Sequence, residues 1–237
     1  MKDNKKLIGF WSSQHKAHLI RPEYDSVTDD YYFSKYFQHL KNKKVLDVGC
    51  GIAKIKSFFD KWGCDYWGID LVPETIERLK SNKVNAVLGD ARNIPFEDNS
   101  FDFVFSFGVI EHFDETEKSI EEHIRVAKPG GDILIAVPNR LTPYTYIETT
   151  YHIFNGSYKD GIASNGKRYT ISEMKQMVKS YDVEVAHCFY YYISALFQGA
   201  NIRGFEHSAL KLERFLDRFP KVKMLFSQMI WMHLVKK

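Results

Sequence analysis

The chain has 237 residues, of which 44% are hydrophobic and 27% are charged, as in an ordinary globular protein. Its formal net charge of +3 is too small to indicate a nucleic-acid partner by itself. Its three cysteines form no CxxC pair, which favours a reducing compartment and predicts no metal site. The first apolar run is too short for a signal peptide, and no run approaches the roughly 20 residues that span a bilayer. We therefore expect a cytoplasmic protein without a membrane partner.

Short β-branched segments alternate with amphipathic segments along most of the chain. Strands are predicted at residues 44–48, 66–69, 86–88, 101–105, 132–137, 183–190 and 229–235, and helices at 52–62, 73–80, 115–126, 170–180 and 210–219. A tight turn is predicted at 128–131, Thr170 begins a capping box with Glu173, and Pro220 is expected to end a helix. This alternation predicts βαβ units and a parallel sheet.

Two regions do not follow the alternation. Residues 1–42 precede the first strand, and residues 139–169 form an aromatic-rich segment after the fifth strand. Long loops in a compact domain are usually functional. We therefore expect a helical N-terminal cap over residues 1–42 and a domain over 43–237, with residues 139–169 inserted in it as a substrate lid.

A glycine loop, Gly49-Cys50-Gly51, lies between the first predicted strand and the helix after it. Glycines there let the backbone turn sharply and approach a ligand, and the helix N-terminus offers free N–H groups. A dinucleotide fingerprint needs a small residue at position 54, where this chain has Lys54. Asp47 would repel a pyrophosphate but tolerates an ammonium group. The loop therefore favours a ligand that carries an ammonium group over a dinucleotide.

The segment 45–51, Val-Leu-Asp-Val-Gly-Cys-Gly, resembles motif I of the class I S-adenosylmethionine-dependent methyltransferases. Further segments resemble this family in the same order, at residues 67–70, 89–96, 100–106, 109–112 and 134–138. Ala53 stands where the family often has a third glycine. The resemblance implies an α/β fold with a Rossmann-like, doubly wound, mostly parallel sheet of seven strands. It also implies S-adenosylmethionine as methyl donor, S-adenosylhomocysteine as product and a small-molecule acceptor.

The resemblance also implies roles for individual residues. Asp70 is expected to accept hydrogen bonds from the ribose hydroxyls, and Asp90 and the Ala91 N–H to bind the adenine. The alternatives are a helix-capping role for Asp70 and a turn role for Asp90. The complete expected cofactor set is Asp47, Gly49, Cys50, Gly51, Asp70, Leu71, Asp90, Ala91, Ser106 and Phe107.

The adjacent pair Glu111 and His112 is the catalytic candidate. A histidine whose pKa lies near neutrality can accept a proton from a hydroxyl or an amine as the methyl group transfers. The alternative is that the pair packs against the next helix and caps it. Methyl transfer can also proceed through proximity and desolvation alone.

The acceptor site is expected in the two unmatched regions, whose aromatic side chains could enclose a small molecule or could simply form the core of a helical cap. The expected substrate-binding residues are Tyr24, Tyr32, Asn139, Arg140, Tyr144 and His152. We expect O- or N-methylation rather than C-methylation, in a monomer or a homodimer without a nucleic-acid partner. The alternatives are a nucleic-acid or protein methyltransferase, and a module that binds the cofactor without chemistry.

Overall fold

The computed structural model describes residues 2–18, 26–143, 166–191 and 205–237. The strands are β1 (Lys44–Val48), β2 (Asp65–Asp70), β3 (Ala86–Leu88), β4 (Phe101–Phe107), β5 (Ala127–Pro138), β6 (Val183–Tyr191) and β7 (Met229–Lys236). The helices are α1 (Lys2–His18), α2 (Ser26–Tyr36), α3 (Lys56–Lys61), α4 (Pro73–Ser81), α5 (Thr116–Val126), α6 (Ile171–Val178), α7 (Phe205–Leu216) and α8 (Pro220–Phe226). Two short 3-10 helices, Gln38–Leu40 and Ile110–His112, complete the described elements.

The seven strands form one sheet in the order β3-β2-β1-β4-β5-β7-β6. All neighbouring strands are parallel except β7, which is antiparallel to both β5 and β6. This arrangement confirms the predicted doubly wound, mostly parallel α/β fold. In open sheets of this kind, ligands bind beyond the carboxyl ends of the strands, near the point where the strand order reverses. That point lies between β1 and β4.

Three boundaries differ from the prediction for identifiable backbone reasons. The helix after the glycine loop begins at Lys56 rather than at 52, because Gly49, Gly51 and Ala53 all have positive φ. Residues 128–131 are a bulge within β5, since Ala127 pairs with Phe101 and the next paired residue is Asp132. Pro220 occupies the first turn of α8, so it begins a helix as well as following one.

The sheet has a hydrophobic cluster on each face. Alternate residues of β4 enter different clusters, with Val104 in one and Phe103 and Phe105 in the other. Phe33 of α2 is fully buried in the second cluster, and its ring lies 5.4 Å from that of Trp231. The aromatic residues of α2 therefore form part of the protein core, which is the alternative that the sequence left open for this region.

Asp132 joins three separate segments on the α2 side of the sheet. Its two carboxylate oxygens lie 2.6 Å from His233 Nε2 and 2.7 Å from His39 Nε2. Burial opposes ionisation of Asp132, but these hydrogen bonds outweigh it and hold its pKa below the usual value. The contact connects the first 3-10 helix to β5 and β7. Among the residues described, we find no helix with the length and apolar character needed to cross a membrane.

Candidate cofactor and active site

The backbone at Gly49 cannot carry a side chain. Its φ is +74°, and a Cβ atom there would lie 2.5 Å from Cγ2 of Val109. The N–H groups of Gly49 and Cys50 both donate to the carbonyl oxygen of Ile69, at 2.8 and 2.9 Å. The loop is therefore fixed to the end of β2 on one side and packed against Val109 on the other.

Two carboxyl groups flank this loop. Asp47 is buried, and its Oδ2 accepts a hydrogen bond from the Tyr66 hydroxyl at 2.6 Å. Burial, together with the charge of nearby Asp70, raises the pKa of Asp47 to about 7 despite that hydrogen bond. Asp70 accepts from the backbone N–H groups of Gly51 and Val72, both at 2.9 Å. Each Asp70 oxygen has room for a further donor, because a carboxylate oxygen accepts more than one hydrogen bond.

Cys50 is buried beside these two carboxyls. Burial, and then the charges of Asp47 and Asp70, raise the pKa of its thiol well above the usual value. The thiol therefore stays protonated, so Cys50 lines the site but is not a nucleophile.

Two adjoining cavities open at the carboxyl ends of β1 to β4. Their volumes are about 580 and 910 Å³ including the open space at their mouths. The first is lined by residues that include Asp70, Leu71, Gly89, Ala91, Val109 and His112. The second is lined by residues that include Asp47, Cys50, Gly51, Ile52, Lys54 and Ile55. Four residues line both cavities: Trp11, His15, Gly49 and Phe107.

The structure brings most of the expected cofactor residues to these cavities, with two exceptions. Asp90 lines neither cavity, and its carboxylate accepts from Asn4 Nδ2 at 3.1 Å and from the Arg92 backbone N–H at 2.9 Å. Burial opposes its ionisation, but the Arg92 hydrogen bonds keep its pKa low. Ser106 is fully buried and also lines neither cavity, although its neighbour Phe107 lines both.

Helix α1 lies in the region for which the sequence predicts a helical cap, but the sequence predicts no bounds for this helix. Four of its residues, Asn4, Leu7, Trp11 and His15, recur at intervals of three and four and so share one helix face. Leu7, Trp11 and His15 line the first cavity, and His15 Nδ1 lies 2.8 Å from Thr75 Oγ1 at the start of α4. This helical spacing was the signal that could have identified the face.

Glu111 and His112 differ in their surroundings although they are adjacent. His112 lines the first cavity, and burial lowers its pKa to about 4 rather than the near-neutral value on which the expected base role rested, so its imidazole is neutral at pH 7. Glu111 is fully buried, lines neither cavity, and has a pKa raised by burial to about 8. Their side chains are 3.9 Å apart, which is too long for a hydrogen bond.

The expected acceptor-binding residues do not meet at the cavities within the described part of the chain. Tyr24, Tyr144 and His152 lie outside the described residues. The Tyr32 hydroxyl accepts from Lys223 Nζ at 2.7 Å, and Asn139 Nδ2 donates to the carbonyl oxygen of Ser227 at 2.9 Å. Arg140 is exposed and pairs with Glu173 at 2.6 Å. The polar groups of Tyr32, Asn139 and Arg140 already form hydrogen bonds or an ion pair with other parts of the chain. We therefore do not place these three residues in the substrate site.

Comparison with known proteins identifies the domain. A family model described as a methyltransferase domain matches residues 46–135, from β1 to β5. The match covers less than half of the chain, and residues 46–135 are named the methyltransferase domain after it. This match confirms the resemblance to class I S-adenosylmethionine-dependent methyltransferases, and the domain holds the glycine loop, both flanking acids and His112.

Two named methyltransferases are similar to part of this chain. Norajmaline N-methyltransferase of Rauvolfia serpentina is 38% identical over 104 residues, which are 40% of this chain and 36% of that protein. The chloroplastic tocopherol O-methyltransferase of Arabidopsis thaliana is 38% identical over 147 residues, 56% of this chain and 40% of that protein. The matched segments thus cover about two fifths of each relative's length.

The same fold occurs in solved structures. Phosphoethanolamine N-methyltransferase 2 of Haemonchus contortus, in complex with phosphomonomethylethanolamine and S-adenosylhomocysteine, superimposes with a TM-score of 0.60. The identity is 21%, and the match covers 89% of this chain and 53% of that one. At this identity, the likeness concerns the fold of the methyltransferase domain.

We predict that Gly49→Ala destabilises the methyltransferase domain more than Gly130→Ala does. Both glycines have φ near +74°, but a Cβ atom at Gly130 meets nothing within 4 Å. Gly130→Ala should therefore lose only the roughly 1–2 kcal/mol of left-handed backbone strain, whereas Gly49→Ala adds the clash with Val109. Urea unfolding of both variants measures the difference. Adding Val109→Ala to Gly49→Ala should reduce this difference in stability, because it removes the atoms that clash. Equal destabilisation by Gly49→Ala and Gly130→Ala would contradict the clash.

Proposed function

We propose that this protein is an S-adenosylmethionine-dependent methyltransferase that transfers a methyl group to a small-molecule acceptor. The observation that carries the proposal is the environment of Asp47. Its carboxyl is buried beside the glycine loop and lines a cavity, and no basic side chain pairs with it among the residues described. A buried carboxyl without a cationic partner is costly to ionise, and the ammonium group of the methionine moiety is a cation of the right kind to pair with it.

The two adjoining cavities fit the two ends of this cofactor. The second cavity holds Asp47 and the glycine loop, and so receives the methionine moiety in our proposal. The first cavity holds Asp70 for the ribose hydroxyls, with Leu71 and Ala91 beside the adenine. Asp90 then acts indirectly, by fixing the turn that presents the Ala91 backbone. When bound, the cofactor supplies an electrophilic methyl group, and S-adenosylhomocysteine is the product.

The chain's own residues can assist the transfer in two ways. Trp11, Phe107 and Val109 surround the cavities with apolar surface, which excludes water from the reacting groups. His112 presents a neutral imidazole to the first cavity and can accept a proton from the acceptor group. Glu111 makes no hydrogen bond to His112 and lines neither cavity, so it has no catalytic role in this proposal.

A small-molecule acceptor is supported by the domain's relatives, whose names include an alkaloid N-methyltransferase and a tocopherol O-methyltransferase. We propose O- or N-methylation, with the acceptor beside the cavities that Leu7, Trp11 and His15 of α1 line. Cavities walled by Trp11, Phe107 and Phe113 suit a partly apolar molecule.

We predict that the protein binds S-adenosylmethionine and that Asp70→Asn weakens the binding about 10- to 100-fold, as expected when a charged acceptor worth about 1.5–3 kcal/mol is lost. Isothermal titration calorimetry measures both constants. Asp65→Asn, an exposed position at the start of the same strand, is the matched control and should bind like wild type. Absence of binding to either S-adenosylmethionine or S-adenosylhomocysteine, or tight binding of NAD instead, would contradict the proposal.

We predict that His112→Gln lowers kcat by about 100-fold or more, the usual contribution of a general base, and changes cofactor affinity little. An acceptor is first identified by S-adenosylhomocysteine release from a panel of amines and phenols. Because the pKa of His112 is about 4, wild-type kcat should fall only as the pH approaches 4, and this acid limb should disappear in the variant. His187→Gln, an exposed histidine on β6, is the control. An unchanged kcat in His112→Gln would leave His112 with a structural role only.

A further inference from the structure

The junction between the two cavities is bounded by a side chain from outside the methyltransferase domain. Trp11 of α1 lines both cavities, and so do His15, Gly49 and Phe107. A ligand that extends from Asp70 in the first cavity to Asp47 in the second must pass between these four residues. Trp11 and Phe107 are the aromatic members of this set.

The proposed function, on which this inference rests, determines which atom of the ligand lies at the junction. In S-adenosylmethionine the sulfur joins the adenosine half to the amino-acid half, and it carries a positive charge. In S-adenosylhomocysteine the corresponding sulfur has lost its methyl group and is neutral. Aromatic rings attract cations through the negative face of the π system, and tryptophan does so most strongly.

The two imidazoles beside Trp11 add no positive charge at neutral pH. The His112 ring centroid lies 5.0 Å from that of Trp11, and the His15 centroid lies 6.0 Å from it. Burial lowers the pKa of both imidazoles, and in His15 it outweighs the opposing charge of Asp70. A cation at the junction therefore meets two neutral rings beside the indole, and it is not repelled by either.

Helix α1 is connected to the domain on both sides of Trp11. Toward its N-terminal end, Asn4 donates to Asp90 at 3.1 Å and also contacts the Arg92 guanidinium. Toward its C-terminal end, His15 Nδ1 lies 2.8 Å from Thr75 Oγ1. These contacts hold the indole at the cavity junction before any ligand arrives, so little ordering is needed for it to contact a ligand there.

We propose that Trp11 recognises the positive charge of the cofactor's sulfur and thereby raises the affinity for S-adenosylmethionine relative to the affinity for S-adenosylhomocysteine. An N-terminal helix would then contribute to discrimination between substrate and product. Its contribution would consist of one indole at the cavity junction.

The test compares dissociation constants for the two compounds in wild type, Trp11→Leu and Trp11→Phe, each measured by calorimetry. Leucine keeps apolar bulk but removes the π system, so Trp11→Leu should reduce affinity for S-adenosylmethionine about 3- to 30-fold more than affinity for S-adenosylhomocysteine. Trp11→Phe keeps a smaller ring and should fall between wild type and Trp11→Leu. Trp67→Leu is the matched control, because Trp67 is half-buried on β2 against Phe96 and lines neither cavity.

Equal loss of affinity for both compounds in Trp11→Leu would overturn the inference, since it would mean that Trp11 only packs against the ligand. A change in the ratio by Trp67→Leu as large as that by Trp11→Leu would overturn it too. If Trp11→Leu does not fold, as judged by thermal unfolding, the ratio in Trp11→Phe decides. Wild-type protein that binds neither compound would contradict the proposed function itself, whereas binding of both with an unchanged ratio in the variants contradicts only the role of Trp11.

Discussion

The close contact between the Gly49 backbone and the Val109 side chain fixes the position of the glycine loop, around which the two cavities are formed. Because Gly49 has no Cβ atom, the loop after β1 passes against the segment that follows β4. The hydrogen bonds from Gly49 and Cys50 to Ile69 fix the same loop to β2. Three strand ends are thereby brought together, and the two cavities open along that edge.

The loop also determines the electrostatics of the site. It holds Gly51 N–H against Asp70 and leaves Asp47 buried beside it, with a pKa raised to about 7. His112, which lines the first cavity, is kept neutral by burial. The carboxyl groups of Asp47 and Asp70 outnumber Lys54, the basic side chain in the described lining, and the imidazoles of His15 and His112 are uncharged. This arrangement favours a ligand with positive charge over a ligand with phosphate groups.

Much of the fold could be predicted from sequence because strands and helices in this chain have clear periodicities. The glycine loop and Asp70 were predictable for a different reason, because short motifs at strand ends encode local geometry. The delayed start of α3 was not, because positive φ at Ala53 is not evident from a residue that usually favours helices. The partners of Asp90 were equally inaccessible, since Asn4 is 86 positions away and meets it only in the folded chain. The spacing of Trp11 identifies a helix face but not its place in the site, because α1 meets the strand ends only in the folded chain.

Calorimetric titration of S-adenosylmethionine at pH 7, in two buffers of different ionisation enthalpy, tests most directly whether Asp47 receives the cofactor's ammonium group. We predict binding in which Asp47 releases about half a proton, because a group with a pKa of about 7 is half protonated at that pH. The Asp47→Asn variant should bind more weakly and lack that release. Absence of binding, or the same proton balance in wild type and Asp47→Asn, would contradict the role of this carboxyl and with it the proposed site.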